Sequence, residues 1–213
     1  MSDDSHSSGN IIPISDEQAK LGQEVVKTLR QLGGFLGKAL GSTPEDLIAY
    51  LGGDWLRIRR AENLARMISE AKERLEERGV GGKTEPATLT LALPLMQAAA
   101  DESREEIRDL WARLLAAAMD PGRSQKVRRL YIDIVGKMDP LDALVLKKLE
   151  DESSWQPTKR DAFAKMLDVG STEVEVSFLN LIKLDVIADS GATKLTNPIL
   201  TSVGRELLRV LRD

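Results

Sequence analysis

The sequence predicts a mainly α protein: a helical N-terminal bundle, then a smaller helical unit closed by one short β-hairpin. Three observations carry that expectation. Aromatic residues make up only 4% of the 213, and hydrophobic residues 42% with Ala and Leu foremost, a balance that favours helix over sheet. Apolar residues recur at three- and four-residue intervals through most of the chain. Gly and Pro interrupt those runs where helices would end.

Met1 to Gly9 is polar and small, and residues 1–14 are assigned to a disordered tail. Ser15 to Gln18 has the form of a capping box, with Ser15 as N-cap and Gln18 reaching back. The helix that follows places Val25, Leu29, Leu32, Leu36 and Leu40 on one stripe, with Lys27, Arg30 and Lys38 off it. Gly33, Gly37 and Gly41 repeat every four residues, a spacing that lets another helix come close. Packing against a neighbouring helix is the plain reading. Self-association or membrane-surface contact through Leu29, Leu32, Gly33, Leu36, Gly37 and Leu40 is the alternative.

Thr43-Pro44 starts a second helix that runs toward Arg78, with Gly52-Gly53 as a kink or break. Arg57, Arg59 and Arg60 cluster on it. Gly79 to Pro86 is a loop. Ala87 to Ala99 is apolar nearly all round, which argues for a buried helix kinked or limited by Pro94, with a strand over Thr88 to Leu93 as the minority reading.

Asp101 to Pro121 is the hub. Ile107, Leu110, Trp111, Leu114, Leu115 and Ala118 form one apolar stripe, capped by Asp101 or Ser103 and stopped by Pro121-Gly122. Glu105–Arg108 and Asp109–Arg113 are spaced to pair along the solvent side. Gly122 to Arg129 is the densest basic stretch, and Ser124 can cap a helix from it through Met138. The helical bundle is thus assigned to residues 15–138.

Residues 139–213 read as a second unit. Asp139 caps a helix from Pro140, Pro157 starts another, and Ser171 or Thr172 caps a third with Val174, Phe178, Leu181 and Ile182 inward. Val186 to Ala188 and Thr193 to Leu195 suggest a hairpin, and Ser202 to Leu211 a last helix. Helix–helix–helix–hairpin–helix is winged-helix-like order. Over residues 140–213, however, ten Lys/Arg face twelve Asp/Glu, and the third helix offers Glu173 and Glu175 near its tip. Carboxylates there repel phosphate, so protein contact is the first reading and nucleic acid the second.

Composition excludes several chemistries. There is no Cys, and the one His is His6 in the tail, so disulfides, thiolate metal sites and His-based catalysis are out. No phosphate-cradling GxxxxGK[ST], GxGxxG after a strand or GxSxG elbow occurs. Glu105, Glu106 and Asp109 lie close along one helix, but no E-x-x-H accompanies them to make a metal pair. No enzyme, cofactor or metal is expected. A net charge of −4 gives the whole molecule no pull toward nucleic acid. Any such contact would rest on local cations: Arg123, Lys126, Arg128 and Arg129, or Arg57, Arg59 and Arg60. No apolar run is long enough to span a membrane and no signal peptide is evident, so a cytoplasmic protein is expected.

The segment LWARLLAAAMDP at Leu110 to Pro121 resembles the Abi-alpha (abortive infection alpha) family. GDWLRIRR from Gly53, ISEAKERLEERGV from Ile68, LALPLMQAAADES from Leu91, PLDALVLKKLE from Pro140, FLNLIKLDVI from Phe178 and LTSVGRELL from Leu200 agree in order. The resemblance implies a part in abortive infection, in which a bacterial cell blocks phage spread at its own expense. It brings no catalytic residues. The expectation is a non-enzymatic phage-defence protein acting through a protein partner or self-association. A nucleic-acid-binding winged-helix regulator and a membrane-acting effector are the alternatives.

Overall fold

Glycine and proline set many helix limits as the spacing predicts. The computed structural model describes residues 20, 23–24, 27–28, 31, 33–40, 54–151, 160–189 and 198–212. The expected caps at Ser15 and Thr43 and the start at Pro157 lie outside them. Helix α1 is Gly33–Leu40, α2 Asp54–Glu77, α3 Leu89–Ala100 and α4 Glu105–Met119. Then come α5 Arg129–Val135, α6 Pro140–Asp151, α7 Arg160–Leu167 and α8 Ser171–Lys183. Strands β1 Ile187–Asp189 and β2 Pro198–Leu200 pair antiparallel, Ile187 opposite Leu200, before α9 Ser202–Leu211.

The helix ends have local causes. Gly79, at φ 70°, closes α2. Val80 N–H donates to Leu75 O (3.0 Å) and Gly79 N–H to Glu76 O (2.9 Å), the two bonds of a Schellman motif. Asp185, at φ 57°, does the same for α8, with Val186 N–H on Leu181 O at 2.9 Å. Pro140 opens α6, where the Asp142 carboxylate accepts the Asp139 N–H at 2.8 Å.

Three expectations are corrected. Neither Asp101 nor Ser103 caps α4. Asp101 ends α3, and its carboxylate takes the Arg60 Nε–H at 2.6 Å, while Glu102 accepts the Arg104 N–H at 2.8 Å. Ser124 starts only a short 3-10 turn, and the helix waits until Arg129, because the Asp120 carbonyl binds the N–H groups of Arg123 (2.9 Å) and Ser124 (2.8 Å). The N-cap of α8 is Gly170, whose N–H donates to Glu173 at 2.8 Å, and Ser171 donates to Asp161 instead. The strand paired with β1 is Pro198–Leu200, and the expected strand at Thr193 to Leu195 lies outside the described residues. The register of Pro198–Leu200 is fixed from the helix behind it, where Thr201 N–H donates to Val186 O at 3.1 Å.

Helix α4 packs against α2, α3, α5, α6 and α9, so the hub expectation holds. Trp111, Leu114 and Leu115 are fully buried, and each contributes about 1.5–3 kcal/mol. Helix α3 is a helix, not a strand, but it is not buried all round: Leu89 is 59% and Leu93 47% exposed. Its inner face of Ala92, Leu95, Met96 and Ala99 meets the core. Phe163 of α7 and Phe178 of α8 meet edge to face, centroids 5.4 Å apart. The buried core runs without interruption from Ala61 to Leu211.

Candidate functional site

The polar side of α4 does not face open water. It floors a cleft of about 640 Å³ between α2, α4, α6 and α9. A 3.6-residue period puts Glu70, Glu73 and Glu77 on one side of α2, and Glu105, Glu106 and Asp109 on one side of α4, and the two rows face the same space. The far wall is apolar, made by Ala143, Leu144 and Leu146 of α6 with Leu208 and Leu211 of α9. Lys147 lies at that wall.

At the floor, charge is neutralised in place. The Asp109 carboxylate takes Arg74 on one oxygen and Arg113 Nε on the other, the latter at 2.9 Å. Arg113 also donates from Nη1 to Leu211 O at 2.9 Å, which ties α4 to the end of α9. Arg108 pairs with Glu70 at 2.9 Å rather than with Glu105. The expected Asp109–Arg113 pair is therefore present, and the expected Glu105–Arg108 pair is replaced by one between helices. On the rim, Glu73 accepts only from Ser69 (3.4 Å), and Glu77, Glu105 and Glu106 make no ion pair with any described residue. Among the described residues no cluster of His, Cys, Asp or Glu has the geometry to hold a metal ion.

The cations singled out in the sequence are dispersed. Arg123 turns inward and donates to the carbonyls of Arg209 (3.0 Å), Val210 (2.7 Å) and Arg212 (2.6 Å), where it caps the C-terminus of α9. Lys126, Arg128 and Arg129 stay exposed, and Arg129 lies 3.6 Å from Asp133. Burial pushes the Tyr131 hydroxyl above its usual range, and the adjacent Arg128 guanidinium partly counters it. Arg59 pairs with Glu62 (3.4 Å) and Arg60 with Asp101 (2.6 Å), while the side chain of Arg57 lies outside the described residues. Of the candidate contact helix, Leu29 and Leu32 lie outside the described residues, as do the side chains of Leu36 and Leu40. Gly33 and Gly37 fall in α1, and a Cβ at Gly37 would meet no described atom within 4 Å.

Sequence reasoning missed the cleft because its acids come from two helices far apart in the chain. The available signal was the i, i+3, i+7 spacing of Glu70, Glu73 and Glu77 and the i, i+1, i+4 spacing of Glu105, Glu106 and Asp109, each keeping its acids on one side of a helix.

The family model for abortive infection alpha matches residues 59–205, a span that takes in the cleft's α2, α4 and α6 walls. No curated protein and no solved structure matches the chain.

Proposed function

The chain belongs to the abortive infection alpha family, and from that premise we propose that it is a cytoplasmic, non-enzymatic phage-defence protein acting through protein contacts. The family match over most of the helical core is the observation that carries this reading. Support for contact rather than catalysis comes from the residue set, which offers no Cys and no His outside the tail. Further support comes from the cleft, whose acidic rim and leucine wall suit a protein segment better than a reacting small molecule. Among the described residues no helix is long and apolar enough to cross a membrane.

The C-terminal unit supports the same reading. We take it as winged-helix-like, on the order α6, α7, α8, β1, β2, α9. Its third helix presents Val176 (62% exposed) and Leu179 (51%) on the outer side. Glu175 is held by Arg160 at 2.7 Å, and Glu173 by the Gly170 N–H. Such a face favours an apolar protein partner over phosphate.

The test is expression in a susceptible host with and without phage. The expected result is fewer plaques and arrested growth of the infected culture. Unchanged plating together with unchanged growth would overturn the proposal.

A further inference from the structure

We infer that the cleft between α2, α4, α6 and α9 is the docking site for the basic N-terminal segment, residues 20–32, of a second copy of this chain. The inference deepens the protein-contact reading above and rests on it.

Three observations converge on that occupant. The first is unspent charge. Glu77, Glu105 and Glu106 stand on the rim with no ion-pair partner among the described residues, although Asp109 and Glu70 beneath them are each matched by arginine. A ligand that neutralised the rim must bring cations of its own. The second is shape. Glu70 to Glu77 spans about 10 Å along α2, two helical turns, too long for one cation. The opposite wall of Leu144, Leu146 and Leu208 needs an apolar partner over the same length. Cations repeated at helical intervals on one face, with an apolar stripe on the opposite face, meet both demands.

The third is that the chain carries such a segment. Lys20, Lys27 and Arg30 stand against one acid, Glu24, and the spacing of Val25, Leu29 and Leu32 predicts an apolar stripe on the opposite helix face. Lys20 and Lys27 are helical and exposed. The helix that continues the segment, α1, packs against α3, its partly buried Phe35 lies against the core, and no residue of α3 lines the cleft. The segment's own anchor is thus on a helix apart from the cleft, so the complementary pair closes between copies. Two clefts and two segments exchanged about a twofold axis satisfy both chains and leave no open end.

Sedimentation velocity on the full chain, over a concentration series at low and at high salt, tests this. The expected result is a dimer that weakens as salt rises. Glu77→Lys with Glu105→Lys, and separately Lys27→Glu with Arg30→Glu, should each weaken it by about tenfold or more. Mixing the two double variants should restore a heterodimer, since each reversed cleft then meets a reversed segment. Circular dichroism confirms that each variant folds, and Glu77→Gln with Glu105→Gln repeats the cleft test should the reversal unfold the chain. A monomer at every concentration overturns the inference, whether the segment fills its own cleft or the cleft awaits another protein. So does a dimer indifferent to both reversals, or a mixture that fails to reassociate. Because association is read on purified protein, its failure leaves the phage-plating result standing, and the reverse.

Discussion

Gly204→Ala sets helix propensity against packing, and the two disagree in sign. Gly204 is buried in the first turn of α9, and its N–H donates to Thr201 Oγ1 at 3.0 Å. By propensity alone, alanine would stabilise that helix by about 1 kcal/mol. A Cβ built there, however, falls 2.0 Å from Val186 O, 3.0 Å from Val186 C and 3.2 Å from Leu200 Cδ2. The obstacle is mostly backbone, so no side-chain rotation relieves it. Helix α9 must retreat from Val186 by about 1.4 Å to reach ordinary contact, and forced overpacking of that kind costs about 1–3 kcal/mol. Val186 O also accepts from Thr201 N–H (3.1 Å) and Thr201 Oγ1 (3.2 Å), bonds worth about 1 kcal/mol each that stretch as the helix withdraws. Netting these against propensity leaves a loss of about 2 kcal/mol. For a chain of this size that is a fall of about 4–8 °C in Tm, or a lower urea midpoint at unchanged slope. A variant as stable as the parent, or more so, would refute the close approach of α9 to Val186.

Four further outcomes follow from buried polar groups. Asp142 is 2% exposed and accepts from Ser177 Oγ (2.6 Å), Asn180 Nδ2 (2.6 Å) and Asp139 N–H (2.8 Å), so Asp142→Ala strands three donors and should lower stability by about 3 kcal/mol in urea. Trp111 is buried with its indole N–H unpartnered, so Trp111→Phe should fall within about 1.5 kcal/mol of the parent while Trp111→Ala loses about 3–5 kcal/mol. Arg123→Ala should speed amide exchange in the last turn of α9, whose carbonyls it caps; protection unchanged there would refute the cap. Burial alone would push the Glu102 carboxyl up, but hydrogen bonds and charge from Arg104 outweigh it and hold the carboxyl below its ordinary value. The unfolded chain then binds that proton more tightly, so Glu102 contributes stability above pH of about 4.5 that is lost as pH falls through the lower folded value. Glu102→Gln should flatten that part of an acid titration of stability.

The apolar half of the fold was legible because period and burial are the same information. Ile107, Leu110, Trp111, Leu114 and Leu115 announce a buried stripe, and all are buried. Loop limits at Gly79 and Pro121 were legible because a left-handed turn and a missing N–H act locally. Helix starts were not. Asp101, Ser103, Ser124, Ser171 and Thr172 all have side chains able to cap, and the choice among them is made by distant groups. Arg60 claims Asp101 from 41 residues away in sequence, and Asp161 claims Ser171 from 10. The pairing of Pro198–Leu200 with β1 has a like cause, since Thr201 just beyond it donates to Val186 O, while Thr193 to Leu195 lie outside the described residues.

Charge on α4 shows why a site can hide in plain sequence. Spacing along one helix reads Glu105, Arg108, Asp109 and Arg113 as two surface pairs, each worth a few tenths of a kcal/mol. The fold instead sends Arg108 to Glu70 on α2 and shares Asp109 between Arg74 of α2 and Arg113. Each acid that gains an arginine between helices leaves another without one, and the remainder gathers on the rim as Glu77, Glu105 and Glu106. Like charges held together cost free energy in the isolated chain, and a partner bearing the opposite charge would relieve that cost. The basic loop shows the reverse economy. Arg123 is drawn in to cap α9, which leaves Lys126, Arg128 and Arg129 exposed, three cations in place of four for counterion release. The same pairing within the fold thus thins the basic surface that sequence offered as the second reading and leaves the acidic one it did not show.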